Sequence, residues 1–110
     1  LLQSSGESPE HFEEALKSVS RAIEINSEIP KLYFNRAIIK YNIKDLDGAM
    51  TDLTRILELD ENYSDALRQR GSLFAELGIV PSACADWKKA SSLGDTRSTN
   101  YLQENSEVCK

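Results

Sequence analysis

Apolar residues recur in three ungapped segments, "FEEALKSVSRAIEIN" from Phe12, "LDGAMTDLTRILELD" from Leu46 and "VPSACADWKKASSLG" from Val80, each starting 34 residues after the last. In register, Phe12, Leu46 and Val80 are apolar, Ala15, Ala49 and Ala83 are alanine, and Val19, Leu53 and Trp87 are large. Ala22, Ile56 and Ala90 follow, and Ile25, Leu59 and Leu93 close the stripe. Steps of 3 or 4 residues put these positions on one face of an α-helix. Alanine at the second position lets a neighbouring helix approach to the roughly 8–10 Å spacing of packed helices.

The segments between are helical as well. "SEIPKLYFNRAIIKYNIKD" puts Pro30 in a first turn, where its missing N–H costs little, and then spaces Tyr33, Phe34, Ala37, Ile38 and Tyr41 as a helix does. "NYSDALRQRGSLFAELGIVP" starts from Ser64 or Asp65 as a cap and runs through Ala66, Leu67, Leu73, Phe74 and Leu77 to Gly78 as a stop. The unit is helix, short turn, helix, which folds as an antiparallel hairpin.

A 34-residue unit built this way resembles the tetratricopeptide repeat, and "LYFNRAIIKYNIKDLDGAMTDLTRILELDENY" followed by "ALRQRGSLFAELGIVPSACADWKKASSLGD" is similar to it nearly end to end. Late in the first helix, where the family usually has glycine, stand Ala37 and Gly71; after the second helix, where it usually has proline, stand Glu61 and Asp95. The resemblance implies an all-α fold, a right-handed α-solenoid of antiparallel helix hairpins. It divides the chain into a partial repeat at 1–29, repeats at 30–63 and 64–95, and a C-terminal capping helix within 96–110. The capping helix is expected over 96–108, with Asp95 or Thr96 as its N-cap and Tyr101, Leu102, Val108 and Cys109 as its apolar stripe. Leu1 and Leu2 read as the last turn of a helix cut away, so an excised part of a longer chain is expected.

Composition changes this picture little. The 110 residues carry a net charge of −5 with basic residues scattered, which excludes the cationic footprint of a nucleic-acid binder. No apolar run approaches the ~20 residues of a membrane span. "LLQSSGESPE" holds no targeting signal, and the wording "ACADWKKASSLGD" resembles terminal repeats of bacterial members of the family, leaving cytoplasm and periplasm both open.

Candidate chemistry is sparse. Cys84 as a nucleophile needs a base within reach, yet the sole histidine, His11, lies in the first repeat; Cys84 instead takes the register of Leu16 and Met50, as a small hydrophobe would. The acidic pairs Glu13/Glu14 and Asp60/Glu61 read as solvated charge, and the five dispersed glycines make no phosphate loop. The sequence reads as a non-enzyme with no cofactor and no metal site. Cys84 and Cys109 are expected as two buried free thiols, with a disulfide as the alternative for an exported protein.

Function then falls to the concave groove, where the family commonly receives a partner's peptide. The resemblance lines it with Lys31, Phe34, Asn35, Ile38, Tyr41 and Asn42 from one hairpin, and with Asp65, Arg68, Gln69, Ser72, Ala75 and Glu76 from the next. Exposed Phe34, Ile38 and Tyr41 would anchor a ligand, and Asn35, Asn42 and Gln69 would satisfy its main chain. One subclass grips the C-terminal carboxylate of heat-shock chaperones with Lys, Asn and Arg. Asn35 matches the asparagine of that clamp, but Asp65 stands at the lysine position and Gln69 at the arginine position, so chaperone tails are not expected to bind. A protein- or peptide-binding scaffold module is the expected role. The rival is a structural spacer or a unit that self-associates through its N-terminal edge.

Overall fold

Prolines stand at the start of three helices of this chain, and residues in the left-handed region follow three. In the computed structural model, which describes residues 9–110, the order is α1 (Pro9–Ile25), α2 (Pro30–Asn42), α3 (Leu46–Leu59), α4 (Ser64–Glu76), α5 (Val80–Ser92) and α6 (Thr96–Glu104). No strand occurs among the described residues, and the expected all-α hairpin architecture is what forms. Leu1 and Leu2 lie outside the described residues. Pro30 and Pro81 fall in the first turns of α2 and α5, where an absent N–H leaves no intrahelical bond unmade. The α4 cap differs from expectation: Tyr63 takes the extended N-cap position, its side chain making no capping bond to the helix, and Ser64 is already helical.

Beyond α4 and α5 the chain reverses through Gly78 at φ +80° and Gly94 at φ +96°. Thirty-four residues before Gly78, the same position is held by Lys44 at φ +70°, the one non-glycine residue in this region among those described. A side chain there crowds its own carbonyl, a cost glycine escapes. Lys44→Gly is expected to stabilise the first hairpin by about 0.5 kcal/mol, the relief of strain partly offset by glycine's freer unfolded chain. Urea unfolding with an unchanged m-value checks it.

Two compact units divide the chain, one ending at Leu59 and the other spanning Asp60–Lys110. In the first, α2 packs against α3 and also against α1. Its core holds Val19, Ile23, Tyr33, Phe34, Ala37, Ala49, Leu53 and Ile56, and Ala49 and Ile56 are wholly sequestered. Two stripe positions on α1 depart from expectation. Ala15 is exposed on α1. Ile25, the last residue of α1, is 82% exposed where the chain leaves the helix.

In the second unit α5 packs between α4 and α6. Trp87 is 6% exposed, and its ring centroid lies 5.3 Å from that of Tyr101 on α6. Gly71 makes room for it: a Cβ there would sit 2.7 Å from Trp87 Cδ1 and Nε1. The buried indole N–H of Trp87 has no hydrogen-bond acceptor among the described residues.

Both units contain the same buried ion pair, which periodicity alone did not reveal. Arg36 on α2 donates through Nε and Nη2 to Asp52 on α3 at 2.9 and 2.8 Å. Arg70 on α4 repeats the fork on Asp86 of α5 at 2.8 and 2.9 Å. Asp52 and Asp86 are 1% and 6% exposed, so each carboxylate depends on its arginine to be tolerated inside. The units differ around this pair: Lys40 Nζ also reaches Asp52 at 3.2 Å, and the residue 34 places on is Phe74, over whose ring Arg70 lies.

The cysteines correct the expectation of free thiols. Cys84 on α5 and Cys109 form a disulfide with Cα atoms 5.3 Å apart. The capping helix is correspondingly shorter than 96–108. It ends at Glu104 with Asn105 as C-cap, and the tail turns so that Cys109 returns to α5 while Val108 is 60% exposed.

Candidate functional site: the faces of the first helices

In the first unit α2 presents a mixed face. Lys31 and Asn35 are exposed one helical turn apart, and Ile38, Tyr41 and Asn42 are half-buried beyond them. Phe34, expected as an exposed anchor, is only 8% exposed. It forms the floor instead, with Lys31 Nζ held 5.3 Å from its ring centroid, a spacing at which the ring attracts the ammonium. Asn42 Nδ2 donates to the Ile38 carbonyl at 2.9 Å, which ties that amide to its own helix. Tyr33, facing the other way, donates its hydroxyl to the Ser27 carbonyl at 2.9 Å.

The α4 face of the second unit is built differently. Arg68 is 9% exposed and engaged by two carboxylates: Nη1 lies 3.1 Å from Asp65 Oδ1 on α4 and 2.6 Å from Asp95 Oδ1 at the start of α6. Gln69 is 8% exposed, Ser72 half-buried, and Asp65, Ala75 and Glu76 exposed. The cation expected to meet a ligand is therefore engaged by two carboxylates of its own chain, exposed Asp65 and half-buried Asp95, and the surface left is neutral to acidic. Asp95 sits 27 residues from Arg68, a separation that no local pattern in the sequence connects.

Asp95 is also the N-cap of α6, accepting from the Ser98 amide at 3.0 Å and from the Ser98 hydroxyl at 2.6 Å. Burial would push this carboxyl up, but the Ser98 bonds and the Arg68 guanidinium outweigh it and hold it below its ordinary value of 3.8. A carboxyl lowered on folding stabilises the fold above its unfolded pKa and loses that contribution as pH falls through the folded value. The α6 amides are thus expected to lose hydrogen-exchange protection as the pH drops below about 3.8, before those of α4 do.

Two solved structures resemble this arrangement of hairpins. The first TPR of Spaghetti (RPAP3), bound to the HSP90 peptide SRMEEVD, superposes with a TM-score of 0.79 at 23% identity over 88% of this chain and 79% of that one. The second TPR domain of human RPAP3, in complex with the HSP70 peptide SGPTIEEVD, gives 0.75 at 27% identity over 84% and 79%. The chain has the tetratricopeptide-repeat fold. Outside the solved tetratricopeptide domains, the human protein DnaJ homolog subfamily C member 7 is 27% identical over 99 residues, 90% of this chain and 19% of the relative. The chain thus spans about a fifth of the length of the curated relatives it matches. No family model matches it. The expected bacterial origin gains no support, since these relatives include human, mouse and Arabidopsis proteins.

Neither the acidic pairs nor the cysteines assemble into a reactive group. His11 is exposed on α1, Asp60 and Glu61 lie exposed in the turn before α4, and no cluster that could hold a metal ion occurs among the described residues. No described helix is long and apolar enough to cross a membrane.

Proposed function

We propose that this chain is a protein- or peptide-binding module whose principal contact is the face of α2. The observation that carries this is the contrast between the two first helices. On α2, Lys31 and Asn35 are exposed beside half-buried Ile38 and Tyr41, whereas on α4 Arg68 is consumed by Asp65 and Asp95. An exposed amide one turn from a cation, next to apolar surface, can hold a partner's main chain while a side chain packs on Ile38 and Tyr41. Phe34 supports the ammonium from below, Asn42 borders the apolar end, and Arg68, Gln69 and Ser72 give the second unit a neutral polar face. Peptide-bound tetratricopeptide neighbours support the class of ligand.

A phage-displayed library of random peptides, selected on the whole chain, tests the proposal. Selected peptides are expected to bind with Kd values that rise at least about tenfold, or ~1.4 kcal/mol, in the Lys31→Ala/Asn35→Ala double variant. Both residues are exposed, so circular dichroism should not change. Affinity that is the same in the parent and the double variant would sink the α2 assignment.

The same geometry sets what is refused. With Asp65 exposed and Arg68 neutralised, a terminal carboxylate arriving at α4 meets a like charge and no available guanidinium. The peptides SRMEEVD and SGPTIEEVD, bound by the neighbours, are expected to show no micromolar affinity for this chain by calorimetric titration.

A further inference from the structure

The disulfide joins α5 to the tail that follows α6, so the segment it encloses runs from the second half of α5 through the whole capping helix. We propose that the Cys84–Cys109 bond is a redox latch: closed, it holds α6 over α5; opened by a dithiol reductant, it releases α6 and the tail and uncovers Trp87.

Four observations place the latch here. The bond spans 25 residues in sequence, a stretch that contains the second half of α5 and all of α6. Helix α6 has 9 residues, fewer than the ~12–15 an isolated helix needs to persist in water. Its polar and ring ties include the Asp95 carboxylate to Arg68, a Ser91–Thr99 hydroxyl contact, the Trp87–Tyr101 ring contact, and Lys88 Nζ donating to the Lys110 carbonyl at 2.7 Å. The two cysteines differ in access, Cys84 being 5% exposed and Cys109 half-buried beside exposed Val108.

That asymmetry sets the chemistry. A reductant thiolate attacks Cys109 Sγ, on the more accessible of the two cysteines. The S–S bond breaks, and Cys84 leaves as a thiolate that takes up a proton. The reductant's second thiol then displaces Cys109 from the mixed disulfide, so two electrons and two protons end on Cys84 and Cys109 while the dithiol closes to its own disulfide. The loop also takes in residues 85–92 of α5, but the Arg70–Asp86 fork ties that stretch to α4 independently of the sulfurs. Release is therefore local, in the manner of a low-stability segment opening while its neighbours stay folded.

Hydrogen exchange read by mass spectrometry on the whole chain tests this, comparing the oxidised protein with the same protein in dithiothreitol. Peptides within 96–110 are expected to exchange at least about tenfold faster after reduction, while those covering α4 and α5 change by less than about twofold, and oxidised glutathione restores the slow rates. Cys109→Ser is expected to reproduce the reduced pattern without reductant. Unchanged exchange in 96–110 after reduction would show that the bond restrains nothing. A uniform rise across 64–110 would show an ordinary staple of the whole unit; either result overturns the latch.

Discussion

Trp87→Ala is expected to cost the second unit about 3–5 kcal/mol, the range for emptying a buried tryptophan site. The reason is geometric. Trp87 on α5 touches Tyr101 on α6, and its indole edge occupies the space that Gly71 leaves on α4, so one side chain joins three helices. Truncation leaves a void that alanine at 83 and 90, each at most 1% exposed, cannot fill. The complementary change, Gly71→Ala, pushes a methyl into the indole from the other side and is expected to cost ~1–3 kcal/mol by overpacking. Urea unfolding followed by exchange of the α4–α6 amides measures both. A loss below about 1 kcal/mol for Trp87→Ala would mean that the ring is not the plug of this unit.

The second large effect separates the two units through their shared ion pair. Arg70→Met should destabilise by about 3 kcal/mol, because it strands the Asp86 carboxylate inside without the fork that satisfied both oxygens. Arg36→Met should cost less, about 1–2 kcal/mol, since Lys40 still reaches Asp52 at 3.2 Å. Replacing Lys40 in the Arg36→Met background should raise the penalty to that of Arg70→Met, and Phe74→Lys should partly rescue Arg70→Met. Equal costs for the two arginine variants, measured by urea unfolding, would contradict the assigned role of Lys40.

Much of the fold was legible in the sequence, for a physical reason. Helix faces are written in local spacing, and a 34-residue recurrence of Ala49 and Ala83, and of Leu53 and Trp87, fixes which face turns inward; all four are buried. What local spacing does not encode is pairing across helices. Asp52 and Asp86 read as polar positions, yet each lies 16 residues from the arginine that makes its burial tolerable. The disulfide could not be decided in advance, because it depends on where the tail turns after Glu104, and that turn is not in the apolar stripe that suggested a longer helix.

The candidate site was legible only in part, and for the same reason. Lys31 and Asn35 are exposed because they fall opposite the buried Tyr33 and Ala37 on α2, a local matter. Arg68 looked equally available in the sequence, but Asp95 arrives from beyond α5 to neutralise it, and Phe34 turns out to support Lys31 instead of facing solvent. The disulfide belongs to the same class of non-local facts. It also bears on surroundings, since such bonds persist in oxidising compartments and are uncommon where thiols are kept reduced.

The central claim, that α2 is the ligand-binding face of a tetratricopeptide-fold module, is tested most directly by recording amide chemical shifts while a library-selected peptide is titrated in. The expected result is a set of perturbed resonances on Lys31, Asn35, Ile38 and Tyr41. Perturbations confined to the outer faces of α3 and α5, with those four residues unmoved at saturation, would contradict it.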